Sequence, residues 1–340
     1  MGLTASSSTT DPVSVRASSL RVGDVVEVRS EEEILATLDS TGKLDRLPFM
    51  PEMLAHCGKR FRVSARAYKA CDTVEWRQLR KLESAVHLED LRCGGSAHGG
   101  CQAGCLLYWK DAWLKRVDGE LGDAARPARG GTTTKETLFA EAERPDPAGE
   151  GERAYSCQAT ELLRATTRTL KWWEPEQYVE DVRSGNAPVA NVLRGLLVGF
   201  LNKFQQVNAR LLPRFCLLHN CKPYPFVLGT AQATSGHEPL GLEPGDLVEV
   251  KSKEEIFATL DERDRNRGLR FDSEMLHYCG MRARVLRRVE HIIDEQTGKM
   301  LHIKGDCIIL EDVVCTGTYH RSCPRRIFPY WREVWLRRVS

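Results

Sequence analysis

Long apolar runs are missing from this 340-residue chain. The richest stretch, Val192 to Phe204, is broken by Arg194, Asn202 and Lys203, which excludes a membrane-spanning helix there. An excess of one charge is missing too. With 49 basic and 47 acidic residues the formal net charge is +2, so overall charge gives no pull toward nucleic acid. There is no Walker A loop, dinucleotide fingerprint, His-Glu-x-x-His pair or nucleophile elbow, which removes the commonest sequence routes to nucleotide, zinc-protease and hydrolase chemistry. The N-terminus shows no charged-then-apolar leader. Met1 to Ser6 formally fits a myristoylation pattern, but no basic patch follows to supply a second anchor. The chain is therefore expected in the cytoplasm, with no membrane partner.

Cysteine, by contrast, is plentiful, with twelve in all. In a reducing compartment, and in a chain long enough to fold without staples, clustered thiols point to metal ligation or reactivity and dispersed ones to buried apolar roles.

An internal repeat organises the sequence. Gly23-Asp24-Val25-Val26-Glu27-Val28-Arg29-Ser30 recurs as Gly245-Asp246-Leu247-Val248-Glu249-Val250-Lys251-Ser252. Glu52-Met53-Leu54 with Cys57-Gly58 recurs as Glu274-Met275-Leu276 with Cys279-Gly280, and Tyr108-Trp109 with Trp113 as Tyr330-Trp331 with Trp335. The offset is 222 throughout (245 − 23, 279 − 57, 335 − 113). Self-similarity held in register over that length means duplication. The expected organisation is a disordered N-terminus (1–17), repeat 1 (18–117), a flexible linker (118–152), a helical middle segment and connector (153–239), and repeat 2 (240–339).

Within each copy, Val26 and Val28 alternate with polar neighbours as a half-buried strand, and Ser30 ahead of three glutamates caps a short helix. Phe61, Val63 and Ala65 give a second strand, Val86 and Leu88 a third, and Trp113 to Val117 the last. In the middle segment, Leu162, Leu163, Thr166 and Leu170 share a helical face. Val192, Leu196, Leu197, Phe200, Leu201 and Phe204 form a longer apolar stripe, expected to pack across the two repeats. A Gly-Asp-x-Val strand opening a domain of short strands resembles SH3-like or KOW-type barrels. That resemblance implies an α+β chain of two tandem SH3-like β-barrels with short helical inserts, joined by the helical middle domain. The duplicated module with its His-Gly-Gly-Cys-Gln loop also resembles an uncharacterised group of bacterial proteins, a likeness that implies no activity.

The chemistry concentrates in the loop Cys93-Gly-Gly-Ser-Ala-His98-Gly-Gly-Cys101-Gln-Ala-Gly-Cys105. Three thiols and an imidazole on a glycine-rich backbone suit a metal that wants four nitrogen or sulfur donors. Cys71, His98 or Cys157 is the candidate fourth ligand, Cys157 standing at a helix start. Repeat 2 keeps the frame as Cys315, His320 and Cys323, has Ile293 and Ile327 where repeat 1 has Cys71 and Cys105, and offers Cys307 as a replacement. The spacing matches neither a standard zinc pairing nor a ferredoxin run. Because extra thiols enrich one copy only, an iron–sulfur cluster is the preferred cofactor, serving redox or sulfur chemistry with a small-molecule substrate or redox partner. The alternative is zinc, stiffening a tandem binding protein for a protein or RNA partner. A third reading is a thiol sensor that forms disulfides without metal.

Cys57 and Cys279 read as core residues, as do Trp172-Trp173 and the repeated tryptophan pairs. Cys216, His219 and Cys221 form a second compact donor set in the connector. The run Arg325, Arg326, Arg332, Arg337 and Arg338, interleaved with Phe328, Tyr330 and Trp331, reads as a solvated basic face before it reads as an RNA surface.

Overall fold

The computed structural model describes residues 20–74, 78–117, 133–145, 153–211, 222–230 and 239–339. The N-terminal segment 1–17, most of the expected linker and the Cys216, His219, Cys221 set lie outside the described residues.

Repeat 1 runs β1 (Val25–Val28), α1 (Glu31–Leu35), the two-residue strands β2 (Lys43–Leu44) and β3 (Leu47–Pro48), β4 (Arg60–Arg66), β5 (Lys69–Cys71), β6 (Leu79–Lys81), β7 (Ala85–Leu88), β8 (Trp109–Lys110) and β9 (Leu114–Arg116). Val26 and Val28 point into the core while Val25 and Glu27 are half-exposed, as the alternation predicts. α1 begins where Ser30 Oγ accepts from the Glu33 amide and the Glu33 carboxylate accepts from the Ser30 amide. That amide, with Lys115 beside it, holds the Glu33 carboxyl down at about 2. β1 lies between β4 and β9, both antiparallel, and the five-stranded order is β8-β7-β4-β1-β9.

The middle segment carries α2 (Lys135–Ala142), β10 (Glu143–Pro145), β11 (Arg153–Tyr155), α3 (Gln158–Ala165), β12 (Arg168–Leu170), α4 (Glu176–Ser184) and α5 (Val189–Leu211). Repeat 2 follows with β13 (Leu247–Val250), α6 (Lys253–Phe257), β14 (Arg265–Asn266), β15 (Leu269–Arg270), β16 (Arg282–Arg288), β17 (His291–Ile293), β18 (Met300–His302), β19 (Ile308–Leu310) and β20 (Leu336–Arg338). Its sheet, β19-β16-β13-β20, repeats the pairing of repeat 1 with the same offset: Val25 faces Arg62, and Leu247 faces Arg284. Two parallel cores form. Phe49 meets Trp113 edge-on at 5.1 Å and Phe271 meets Trp335 at 5.3 Å, while each of these indoles donates to a threonine, Thr37 or Thr259. The chain is a mixed α+β protein.

Four expectations need correction. Among the described residues no sheet closes into a barrel. The sheet ends β8 and β9 are consecutive in the chain, but the 3₁₀ turn Asp111–Trp113 between them drops Trp113 into the core instead of letting them pair. Within the expected linker, residues 133–145 form α2 and β10, with Leu138 and Ala142 buried. The apolar stripe does not pack across the repeats either: Val192 is buried, but Leu197 and Phe200 are 70% and 62% exposed. The middle segment attaches through strands instead. β12 extends the β5–β6 hairpin, and the Tyr155 amide of β11 donates to Gly298 O beside β18, so hairpin edges find backbone partners. Finally, Trp173 is exposed, not core. No described helix is long and apolar enough to cross a membrane.

Candidate metal centre

The cysteine loop hangs between Leu91 and Leu106, with the Cys93 amide donating to Cys105 O at 2.8 Å. Gly95 makes the tight return. Its φ is +74°, its carbonyl accepts from the His98 and Gly100 amides, and a Cβ there would stand 2.2 Å from Cys101 O. Gly317 does the same in repeat 2, at φ +74° against the Cys323 backbone. Gly95→Ala is expected to cost about 1–3 kcal/mol in left-handed strain alone. A lowered melting temperature with faster alkylation of Cys93 and Cys101 is the readout.

The 3₁₀ turn Pro51–His56 supplies the residue that sequence reading missed. Glu52 accepts from the Ala97 amide at 2.9 Å and from His98 Nδ1 at 2.8 Å, and His98 Nε2 meets Ser156 O at 3.2 Å. His98 is thus fully buried with both ring nitrogens engaged. Burial raises the Glu52 carboxyl, but His98 and the Ala97 amide outweigh it and hold it below its usual value. Its second oxygen, Oε2, is buried without a partner. The signal was present in the repeated Glu-Met-Leu of Glu52 and Glu274.

Ser156 leads directly to Cys157, the N-cap of α3, as its helix-start position suggested. Four free thiols then gather: Cys93, Cys101 and Cys105 from the loop and Cys157 from the middle segment. Burial pushes Cys105 up to about 12 and Cys157 up to about 11, and raises Cys93 further. The charge each thiolate would carry is felt by the others. Cys105 and Cys157 add to the shift at Cys93, Cys157 and Cys101 to that at Cys105, and Cys101 to that at Cys157. Backbone amides aim at the sulfurs: Gly95 at Cys93, Ala159 and Thr160 at Cys157, and Ile293 at Cys101 from 3.4 Å. No three of these sulfurs lie within 4.8 Å of one another.

Cys71 is not part of this group. Its amide donates to Cys323 Sγ at 3.1 Å, just as the amide of Ile293, its counterpart in repeat 2, donates to Cys101 Sγ. Each repeat's β-hairpin therefore reaches across to the other repeat's loop, in a pseudo-twofold exchange. Thr73 and Glu295, 222 residues apart, hydrogen-bond to each other at its centre, and Arg325 joins Cys71 O, Thr73 and Glu295. Cys307 lies in neither three-donor group. It packs with Val289, Ile309 and Phe328. Cys57 and Cys279 pack against the two cores.

The basic run is not a stacking surface. Arg325 and Arg332 are buried, the latter bonded to backbone carbonyls of Asn266, Arg267 and Asp306. Trp331 is wholly buried. Arg337 and Arg338 are exposed but paired with Glu255 and Asp246.

Comparison with known proteins adds no relative to this geometry: no family model, curated protein or solved structure matches the chain.

Proposed function

We propose that this protein is a cysteine-ligated metalloprotein that holds an iron–sulfur cluster on Cys93, Cys101, Cys105 and Cys157, in the cytoplasm, for redox or sulfur chemistry with a small-molecule substrate or redox partner. One observation carries the reading: four free, partly buried thiols from two parts of the chain lie within reach of each other's charge, with backbone amides directed at three of them. Their spread supports a cluster over a single ion. A tetrahedral ion with metal–sulfur bonds of about 2.3 Å holds its sulfurs about 3.8 Å apart. No three of these sulfurs lie that close to one another. Amides aimed at sulfur are among the levers that set a cluster's potential. When bound, the cluster would supply electron transfer or an iron that activates a sulfur or oxygen substrate. The chain's own part is to hold the sulfurs, and Glu52 and His98 fix the loop that presents three of them.

The second reading is zinc on Glu52, Cys93 and His98, stiffening a tandem SH3-like binding protein. It is favoured by the orphaned Glu52 Oε2. Against it, the 2.8 Å between Glu52 Oε1 and His98 Nδ1 is a hydrogen-bond distance. Purification without oxygen, a visible spectrum, and iron, sulfide and zinc analysis decide between the two. Stoichiometric iron and sulfide, lost in a Cys101→Ala, Cys105→Ala chain, is the expected result. A colourless protein with zinc on Cys93 would overturn the cluster.

Loading should also be pH-dependent. With Cys105 raised to about 12 and Cys157 to about 11, these thiols are protonated at neutral pH. Ligation needs thiolates, so binding releases protons, tightens as pH rises and weakens as it falls. An indicator dye in weakly buffered solution should report acidification on loading.

A further inference from the structure

Repeat 2 contains a donor set of different character. Glu274, Cys315 and His320, the counterparts of Glu52, Cys93 and His98, bring one donor atom each within 4.8 Å of one another. Here the histidine ring is placed differently. His320 Nδ1 stands 3.4 Å from Cys315 Sγ, and its Nε2 stands 3.4 Å from Asp272 Oδ1. Repeat 1 has Met50 in place of Asp272, so its histidine has no such second carboxylate. A tetrahedral zinc with bonds of about 2.3 Å to sulfur and about 2.0 Å to nitrogen separates those two donors by about 3.5 Å. The observed 3.4 Å is a thiol–imidazole hydrogen bond that already matches the spacing of two ligands on one ion. The Glu274 carboxylate is buried; its Oε2 accepts from the Thr316 amide and hydroxyl at 3.1 and 2.7 Å and its Oε1 from the Tyr319 amide, which leaves a lone pair on Oε1. The carboxylate facing the non-ligating ring nitrogen is the usual partner of a metal-bound imidazole.

We infer that repeat 2 carries a mononuclear site for a zinc-class divalent ion, with Cys315 Sγ, His320 Nδ1 and a Glu274 oxygen as ligands and Asp272 orienting His320. Thiolate, imidazole and carboxylate together select zinc over calcium or magnesium. Three protein donors leave a fourth position for water or an incoming ligand, the pattern of reactive zinc sites and not of closed structural ones. The His320 side chain is 35% exposed, so solvent reaches the donor set. Cys323, which the sequence frame offered as a ligand, is instead engaged by Cys71. The site is independent of what repeat 1 holds.

The test uses the full chain carrying Cys93→Ser, which disables both readings of repeat 1, with cobalt(II) as the probe. One cobalt per chain is expected, with a thiolate-to-cobalt charge-transfer band that zinc abolishes. Adding Cys315→Ser should remove the band, His320→Asn should weaken binding at least 100-fold, and Asp272→Asn should weaken it about 10- to 100-fold. In the Cys93→Ser chain itself, zinc should slow alkylation of Cys315 mapped by mass spectrometry, a readout that needs no further variant to fold. A folded chain that binds no cobalt, a band that survives Cys315→Ser, or alkylation of Cys315 indifferent to zinc would each overturn the inference.

Discussion

A Cys157→Ala chain purified without oxygen should lack nearly all the iron and sulfide of the parent while keeping its circular dichroism. Cys157 belongs to the middle segment, 52 residues beyond Cys105 (157 − 105), so its loss leaves the loop sequence intact. The site would keep three thiols and lose one of its four anchors. Removal of the side chain should cost the fold little: the amide of residue 157 still meets Thr160 Oγ1, and the Glu161 amide still donates to its carbonyl. Cys57→Ala is the control. That thiol packs against the repeat 1 core, and its loss should leave the iron unchanged. If Cys157→Ala retains full iron and sulfide, the four-thiol assignment is wrong.

The second large effect concerns stability. Lys69 Nζ and Asp181 Oδ2 are 2.7 Å apart with both side chains wholly buried, and Tyr68 donates to the same carboxylate at 2.8 Å. Burial lowers the Lys69 ammonium and raises the Asp181 carboxyl, each partner resisting the shift of the other. Asp181→Ala would leave an uncompensated ammonium between β5 and α4. The expected loss is about 3–5 kcal/mol, read from urea unfolding. A Lys69→Met, Asp181→Leu double change should recover most of it, because two apolar side chains of similar size avoid the desolvation cost. Equal losses in the single and double variants would show that the pair stabilises beyond its own burial cost. The β5–β6 hairpin anchored here is the one that delivers Cys71 to Cys323, so the single variant should also speed alkylation of Cys323.

The sequence by itself determined the local and the repeated. The 222-residue offset reappears in the strand register, Val26 and Val28 alternate inward, Ser30 and Glu33 cap α1, and Gly95 and Gly317 take a positive φ where a Cβ would strike the backbone of the return. The three loop cysteines were legible as one group from their glycine-rich spacing, while Cys71, His98 and Cys157 stood level as the fourth donor. Tertiary structure alone decided the rest. Whether β8 and β9 pair depends on where Trp113 fits, and whether Phe200 is buried depends on what lies opposite it. Glu52 and Glu274 became candidate ligands because a 3₁₀ turn some forty residues upstream packs against the loop. Cys71 left the first site for Cys323 because the hairpins cross between repeats. Periodicity records which face of an element avoids water; it carries no record of which distant element covers that face, and a site assembled across two repeats is made of such coverings.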